Sequence, residues 1–297
     1  MRLTLAELSA LAPAELAAVL GEDSGHTAQW LYEAACHGLV EAQTTLGQAL
    51  LDGRGTPADA RAARRWFALA AQTGYAPAAN MLGRCLERGW GGGQDFPKAA
   101  QHYRQAADSG LDWGQYNLAN LLLRGRGVAR DLRQAFDWFA AAAVQHHAKS
   151  INLVARFLEE GWIGPPDLPG AAAWYRRAAE GGDFRGQYNL ASLLVQSGRV
   201  AEAVPWFERA GAAGSRDFQR LAADQLLAQQ DQALRAVGLA IAARCCQGGT
   251  GADYHRYSMA LADSNPREAQ AWLRLAQIAG YDGADDFADE KTSKNSL

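Results

Sequence analysis

The chain has 297 residues, of which 48% are hydrophobic and 21% charged, and its formal net charge is −3. That much apolar material excludes a disordered chain and can bury a core. The faintly acidic balance excludes a broad basic field for nucleic acid, and the length fits one or two ordinary domains or one elongated repeat array.

Residues 1–23 read as short amphipathic helices that cap the N-terminus, with Thr4 and Glu7 spaced for a capping box. Glu7 and Glu15 interrupt the apolar run that a secretory leader needs, so a cytoplasmic protein is expected. No stretch approaches the roughly 18 apolar residues of a membrane helix. The nearest, Ala233 to Cys246, carries Arg235 and Arg244, so no direct membrane insertion is expected. Cys36, Cys85, Cys245 and Cys246 fall at no regular spacing, which suits buried free thiols in a reducing compartment.

From residue 24 onward a period of about 36 residues governs the chain. Aromatic pairs recur at Trp66-Phe67, His102-Tyr103, Trp138-Phe139 and Trp174-Tyr175, and Trp30 stands one step earlier. In register with them run Leu46, Leu82, Leu118, Val154 and Leu190, then Gly53, Gly89, Gly125 and Gly161, then Asp59, Asp95, Asp131 and Asp167. Alanines keep the same step at 63, 99, 135 and 171, and again at 70, 106, 142 and 178. Each column has a physical role. Leu118, Leu121 and Leu122 form one apolar stripe of a first helix. Gly125 ends that helix by tolerating positive φ, and Asp131 caps the second. Small alanines facing large aromatics let paired helices interdigitate, and the aromatic column, Trp138 included, is expected in the core. One hairpin cannot bury both faces, so neighbours must stack.

The combination A-x3-LG-x2-LL-x2-G-x-G-x3-D-x3-A-x2-WF-x2-AA, matched almost throughout by segment 113–145, resembles the Sel1-like repeat, a relative of the tetratricopeptide repeat. The resemblance covers residues 24–215, as a half-repeat at 24–40 and five repeats beginning near 41, 77, 113, 148 and 184. It implies an all-α fold, a right-handed α-solenoid of stacked helix hairpins. In the fifth copy the step from Trp174 to Trp206 shortens to 32 residues, because the glycine loop is cut to QSGRV. Residues 216–281 read as degenerate helical repeats ending in a C-terminal cap, with the second-helix signature returning around Trp272. Residues 282–297, acidic and then polar, are expected to be disordered.

Little here suggests catalysis. The six histidines are scattered, and His102 and His146 occupy repeat columns, so no metal site and no cofactor is expected. The glycines of GWGGG at 89–93 follow a helix at the repeat period, which helix termination explains without a phosphate loop. No serine nucleophile is paired with a base, and an enzyme is not expected.

In tetratricopeptide arrays the ligand face comes from the first helix of each hairpin, and the resemblance implies the same concave face here. Its candidate partner-binding residues are Asn80, Arg84, Arg88, Tyr116, Asn117, Asn120, Arg124, Asn152, Arg156, Tyr188 and Asn189. Asn117, Asn120 and Arg124 are similar to the Asn, Asn and Lys pattern with which some relatives clamp a peptide's terminal carboxylate. Guanidinium and amide groups suit carboxylates through charge-assisted, often bidentate hydrogen bonds. The same positions also read as solvated polar residues, interspersed with Asp52, Glu87, Glu159 and Glu160. The implied function is a non-enzymatic scaffold or adaptor binding another protein or an acidic peptide, with no nucleic acid. Two alternatives stay open: an envelope- or glycan-related accessory protein with ligand-binding or weak hydrolytic activity, and a homo-oligomeric assembly factor built as a homodimer.

Overall fold

The computed structural model describes residues 24–281. The expected N-terminal helices, the Thr4–Glu7 capping box and the tail after residue 281 lie outside the described residues. Among the described residues there are fifteen α-helices and no strand. They fall into two compact units, divided between Asp167 and Leu168.

The first unit holds α1 (Ser24–Cys36), α2 (Val40–Asp52), α3 (Ala60–Gln72), α4 (Ala76–Arg88), α5 (Phe96–Asp108), α6 (Asp112–Arg124), α7 (Leu132–Val144) and α8 (Ala148–Glu159). Helices α2/α3, α4/α5 and α6/α7 form hairpins, and α3/α4, α5/α6 and α7/α8 pack one hairpin on the next. The first helices end at Gly53, Gly89 and Gly125, each left-handed, with their amides returned to the carbonyls of Ala49, Cys85 and Leu121. The second helices begin at Asp59, Asp95 and Asp131, whose carboxylates accept from the amides of Ala62, Lys98 and Gln134.

The second member of each aromatic pair is the core. Phe67, Tyr103, Phe139 and Tyr175 are 0% exposed, whereas Trp66, His102, Trp138 and Trp174 are half-buried. The expectation that the whole pair is core is therefore corrected. Neighbours on a helix point about 100° apart, and only one can aim at the facing helix. That helix has a small residue where the ring lands. A Cβ on Gly47 would stand 2.7 Å from the Phe67 ring, and one on Gly83 would stand 2.7 Å from the Tyr103 ring. The Tyr103 hydroxyl still needs a partner and donates to Glu87 Oε2 at 2.7 Å. Burial first, then the Glu87 carboxylate, pushes the phenol's pKa far up, so it stays a donor.

A glutamine staple recurs between repeats. Gln43 and Gln115 each donate through Nε2 to a last-turn carbonyl of the preceding helix, that of Ala35 or Ala107. His146 stands at φ 64° in the column where Gly38, Gly74 and Gly110 take φ of 85–89°, and is the one non-glycine with positive φ among the described residues.

The second unit holds α9 (Leu168–Glu180), α10 (Phe184–Gln196), α11 (Val200–Ala213), α12 (Arg216–Leu227), α13 (Gln232–Cys245), α14 (Gly251–Leu261) and α15 (Pro266–Ile278). Helices α10/α11, α12/α13 and α14/α15 pair as hairpins, and α13 also packs on α11 and α14. The staple continues, Gln187 donating to Ala179 and Gln219 to Gly211. A buried ion pair ties α12 to α14: Arg220 Nε and Nη2 donate to Asp253 Oδ1 and Oδ2 at 2.6 and 2.9 Å. Asp253 also accepts from the amide and hydroxyl of Thr250, capping α14.

Candidate functional site

The candidate residues of the first unit lie on the first helices α4, α6 and α8, but the structure gives them different tasks. Asn80 is only 8% exposed, and its Oδ1 accepts from Asn117 Nδ2 at 2.8 Å. The expectation that Asn80 lines an open face is corrected: a buried amide needs an internal partner, and this one links α4 to α6. Asn120 donates to the Tyr116 carbonyl one turn back at 2.8 Å. Tyr116 is half-buried in an aromatic cluster, its ring 5.9 Å from Trp113, 5.9 Å from Phe139 and 4.8 Å from His147. The Lys149 ammonium lies over Trp113 and Tyr116, at 5.5 and 6.0 Å. Nothing in the sequence pattern announces the Asn80–Asn117 pair, because its 37-residue step runs diagonally across the repeat columns.

The arginines remain available. Arg84 and Arg88 near the C-terminal end of α4 and Arg124 in the last turn of α6 are exposed, and the two helices touch. Among the described residues no carboxylate stands within 4.0 Å of any of the three. The acids interspersed with them are partly spent elsewhere. Asp52 pairs with Arg54 at 2.9 Å and accepts from Gln48, while Glu87 holds Tyr103. Arg84 lies over Trp90 at 5.4 Å and the half-buried Arg156 over Trp162 at 5.5 Å, the same contact two repeats on. A guanidinium laid on an indole is held in place. Arg84 Nη1 also donates to Met81 Sδ at 3.3 Å, which leaves its other N–H groups to donate outward. Asn152, on α8, is half-buried.

In the second unit, Tyr188 and Asn189 sit half-buried on α10. The Tyr188 hydroxyl donates to Gln225 of α12, and its ring packs on Phe207 and Phe218 at 5.0 and 5.5 Å. Burial pushes its pKa up to about 12, so it acts as a neutral donor holding two first helices together.

The cysteines are free, with Cys36 exposed and Cys85, Cys245 and Cys246 buried. Burial pushes Cys85 up to about 11 and Cys246 up to about 12, which leaves both as thiols and poor nucleophiles at neutral pH. Among the described residues no group of three or more His, Cys, Asp or Glu converges as metal ligands, and no helix is long and apolar enough to cross a membrane.

The family model described as the Sel1 repeat matches residues 40–75, 76–111, 114–147, 148–183 and 239–276. Among solved structures, a protective antigen of uropathogenic Escherichia coli with an SLR fold is 27% identical with a TM-score of 0.66; the alignment covers 86% of this chain and 56% of that one. A Sel1 repeat protein from Oxalobacter formigenes is 22% identical with a TM-score of 0.65, over 78% of this chain and 98% of that one. No curated protein matches the chain.

Proposed function

This chain belongs to the Sel1 repeat family, and from that premise we propose that it is a non-enzymatic scaffold that binds an acidic segment of another protein along the first-helix face of its first unit. Proteins of this family are generally protein-interaction scaffolds and typically lack catalysis. The observation that carries the reading is the set Arg84, Arg88 and Arg124, exposed on two touching first helices without a carboxylate partner among the described residues. Permanent cations left uncompensated on one face attract carboxylates and offer them paired N–H donors. The Asn80–Asn117 bond and the Tyr116 cluster support that face from beneath rather than contacting the partner. Free thiols, three of them buried, fit work in a reducing compartment, the cytoplasm.

A fluorescein-labelled octaglutamate peptide titrated into the full chain tests the reading by fluorescence anisotropy. The variant Arg84→Ala/Arg88→Ala/Arg124→Ala should keep its circular dichroism, since these side chains are exposed. It should bind the peptide at least tenfold more weakly, about 1.4 kcal/mol. Wild-type binding should weaken as salt rises. Unchanged affinity of the variant at low salt would move the partner off this face.

A further inference from the structure

A second cationic feature lies on the second helices of the first unit. An open cleft of ≈360 Å3 is rimmed by Arg61, Arg64 and Arg65 of α3 and Lys98 of α5, over Leu82 and Leu86 of α4. Among the described residues no carboxylate stands within 4.0 Å of Arg61, Arg64 or Arg65. Lys98 is neutralised by Asp95 at 3.0 Å. Three cations within five residues of one helix repel one another and weaken it. The other copies show that the fold does not require Arg64 or Arg65, whereas the column of Arg61 returns as Arg133, which donates to the Ile163 carbonyl. The column of Arg64 continues as Ala100, Phe136 and Ala172, and that of Arg65 as Gln101, Asp137 and Ala173.

The loop opposite is shaped to this cluster. Arg64 Nη1 donates to the Gly93 carbonyl at 3.3 Å, and a Cβ on Gly92 would stand 2.6 Å from that same nitrogen. Gly91, at φ 71°, lies so close to α3 that a Cβ would be 2.2 Å from the Ala60 oxygen. Of the glycines in GWGGG, only Gly89 is needed to end α4. Gly91 lets the loop close onto the start of α3, as Gly127 closes onto Phe96 one period on, whereas Gly92, replaced by Val128 in that next copy, makes room for the guanidinium. His102, half-buried at the cleft, is held below its ordinary pKa by burial and adds a neutral ring rather than a charge.

We propose that this cleft is a second binding site, taking a phosphate-bearing ligand with two or more negative charges. A lone carboxylate would compensate one of three guanidinium charges, whereas a phosphate dianion or a diphosphate brings two or three charges and several acceptor oxygens into one small volume. Guanidinium forks match those oxygens bidentately. The phosphate arrives either on a free small molecule or on a phosphorylated side chain, and both present the same chemistry. The site shares none of its residues with the peptide face.

Isothermal titration of the full chain at low ionic strength, with inorganic pyrophosphate and with a phosphoserine peptide, tests this, with octaglutamate as the carboxylate control. Saturable binding of at least one phosphate probe is expected, tighter than octaglutamate at this site. The variant Arg61→Ala/Arg64→Ala should lose about tenfold or more in affinity, and Arg84→Ala/Arg88→Ala/Arg124→Ala should lose none. Should the alanine variant fail to fold, Arg61→Lys/Arg64→Lys retains the charge and removes the forks, and it should still bind several-fold more weakly. Tighter binding of pyrophosphate assigns a free ligand, and tighter binding of the peptide a phosphorylated partner. The proposal is overturned if neither probe saturates, if the lysine variant binds as wild type, or if octaglutamate competes equally for Arg61 and Arg64.

Discussion

Phe139 and Trp138 share one turn of α7 yet have different surroundings, the first fully enclosed and the second half-buried. Removing the Phe139 ring leaves a cavity that close-packed neighbours cannot fill, so Phe139→Ala should cost about 3–5 kcal/mol. Trp138→Ala gives up only part of its area to solvent and should cost about 2 kcal/mol or less. Urea denaturation of the two variants checks the order, and equal losses would mean that the ring environments are misassigned. Periodicity made the aromatic pair legible in the sequence. It did not show which ring enters the core, because that depends on where the facing helix carries Gly47 or Gly83. The polar residues of the candidate site were harder still. Asn80 and Arg84 lie one turn apart on α4, yet Asn80 is spent on Asn117 of the next first helix while Arg84 stays exposed over Trp90 without a carboxylate partner.

Helix boundaries were the most legible elements, since Asp59, Asp95 and Asp131 cap and Gly53, Gly89 and Gly125 terminate where the columns place them. The Arg220–Asp253 tie between α12 and α14 was not legible, because its partners stand 33 residues apart on two different hairpins. Burial alone would raise the Asp253 carboxyl, but the Arg220 guanidinium and the Thr250 amide and hydroxyl hold it below the usual carboxylate range. A carboxyl depressed in the folded state contributes stability above its unfolded pKa, roughly 4, and loses it as pH falls through the lower folded value. Asp253→Asn removes the buried charge and leaves Arg220 only the exposed Asp217 carboxylate at 3.4 Å, so it should destabilise by about 2 kcal/mol at neutral pH. That difference from wild type should shrink steadily below about pH 4. Thermal melts from pH 7 to 3 measure it, and a pH-independent gap would show that Asp253 works through shape and not charge.

In the first unit every hairpin touches chiefly its neighbours in sequence, so stability there is a chain of local terms. Hydrogen exchange on Phe139→Ala should therefore speed up most in α5 to α8 and least in α2 and α3. Uniform acceleration along the unit would show one cooperative block. The all-α repeat class was legible over most of the chain because each turn of the pattern restates the same demands. The cationic cleft was not, since it forms between copies, from departures such as Arg64 and Gly92 that mean nothing until two helices and a loop meet. The fit of Phe67 against Gly47, and of Tyr103 against Gly83, lies wholly within one hairpin. Each hairpin thus carries its own matched partners, as a sentence carries its own subject and verb. A duplication or deletion of one full period, wherever its ends fall, hands on complete matches, while a fractional one would strand a ring before a side chain it cannot pass. Gene lengths in such a lineage should change in whole periods, and point changes should gather at the few positions where one copy addresses the next.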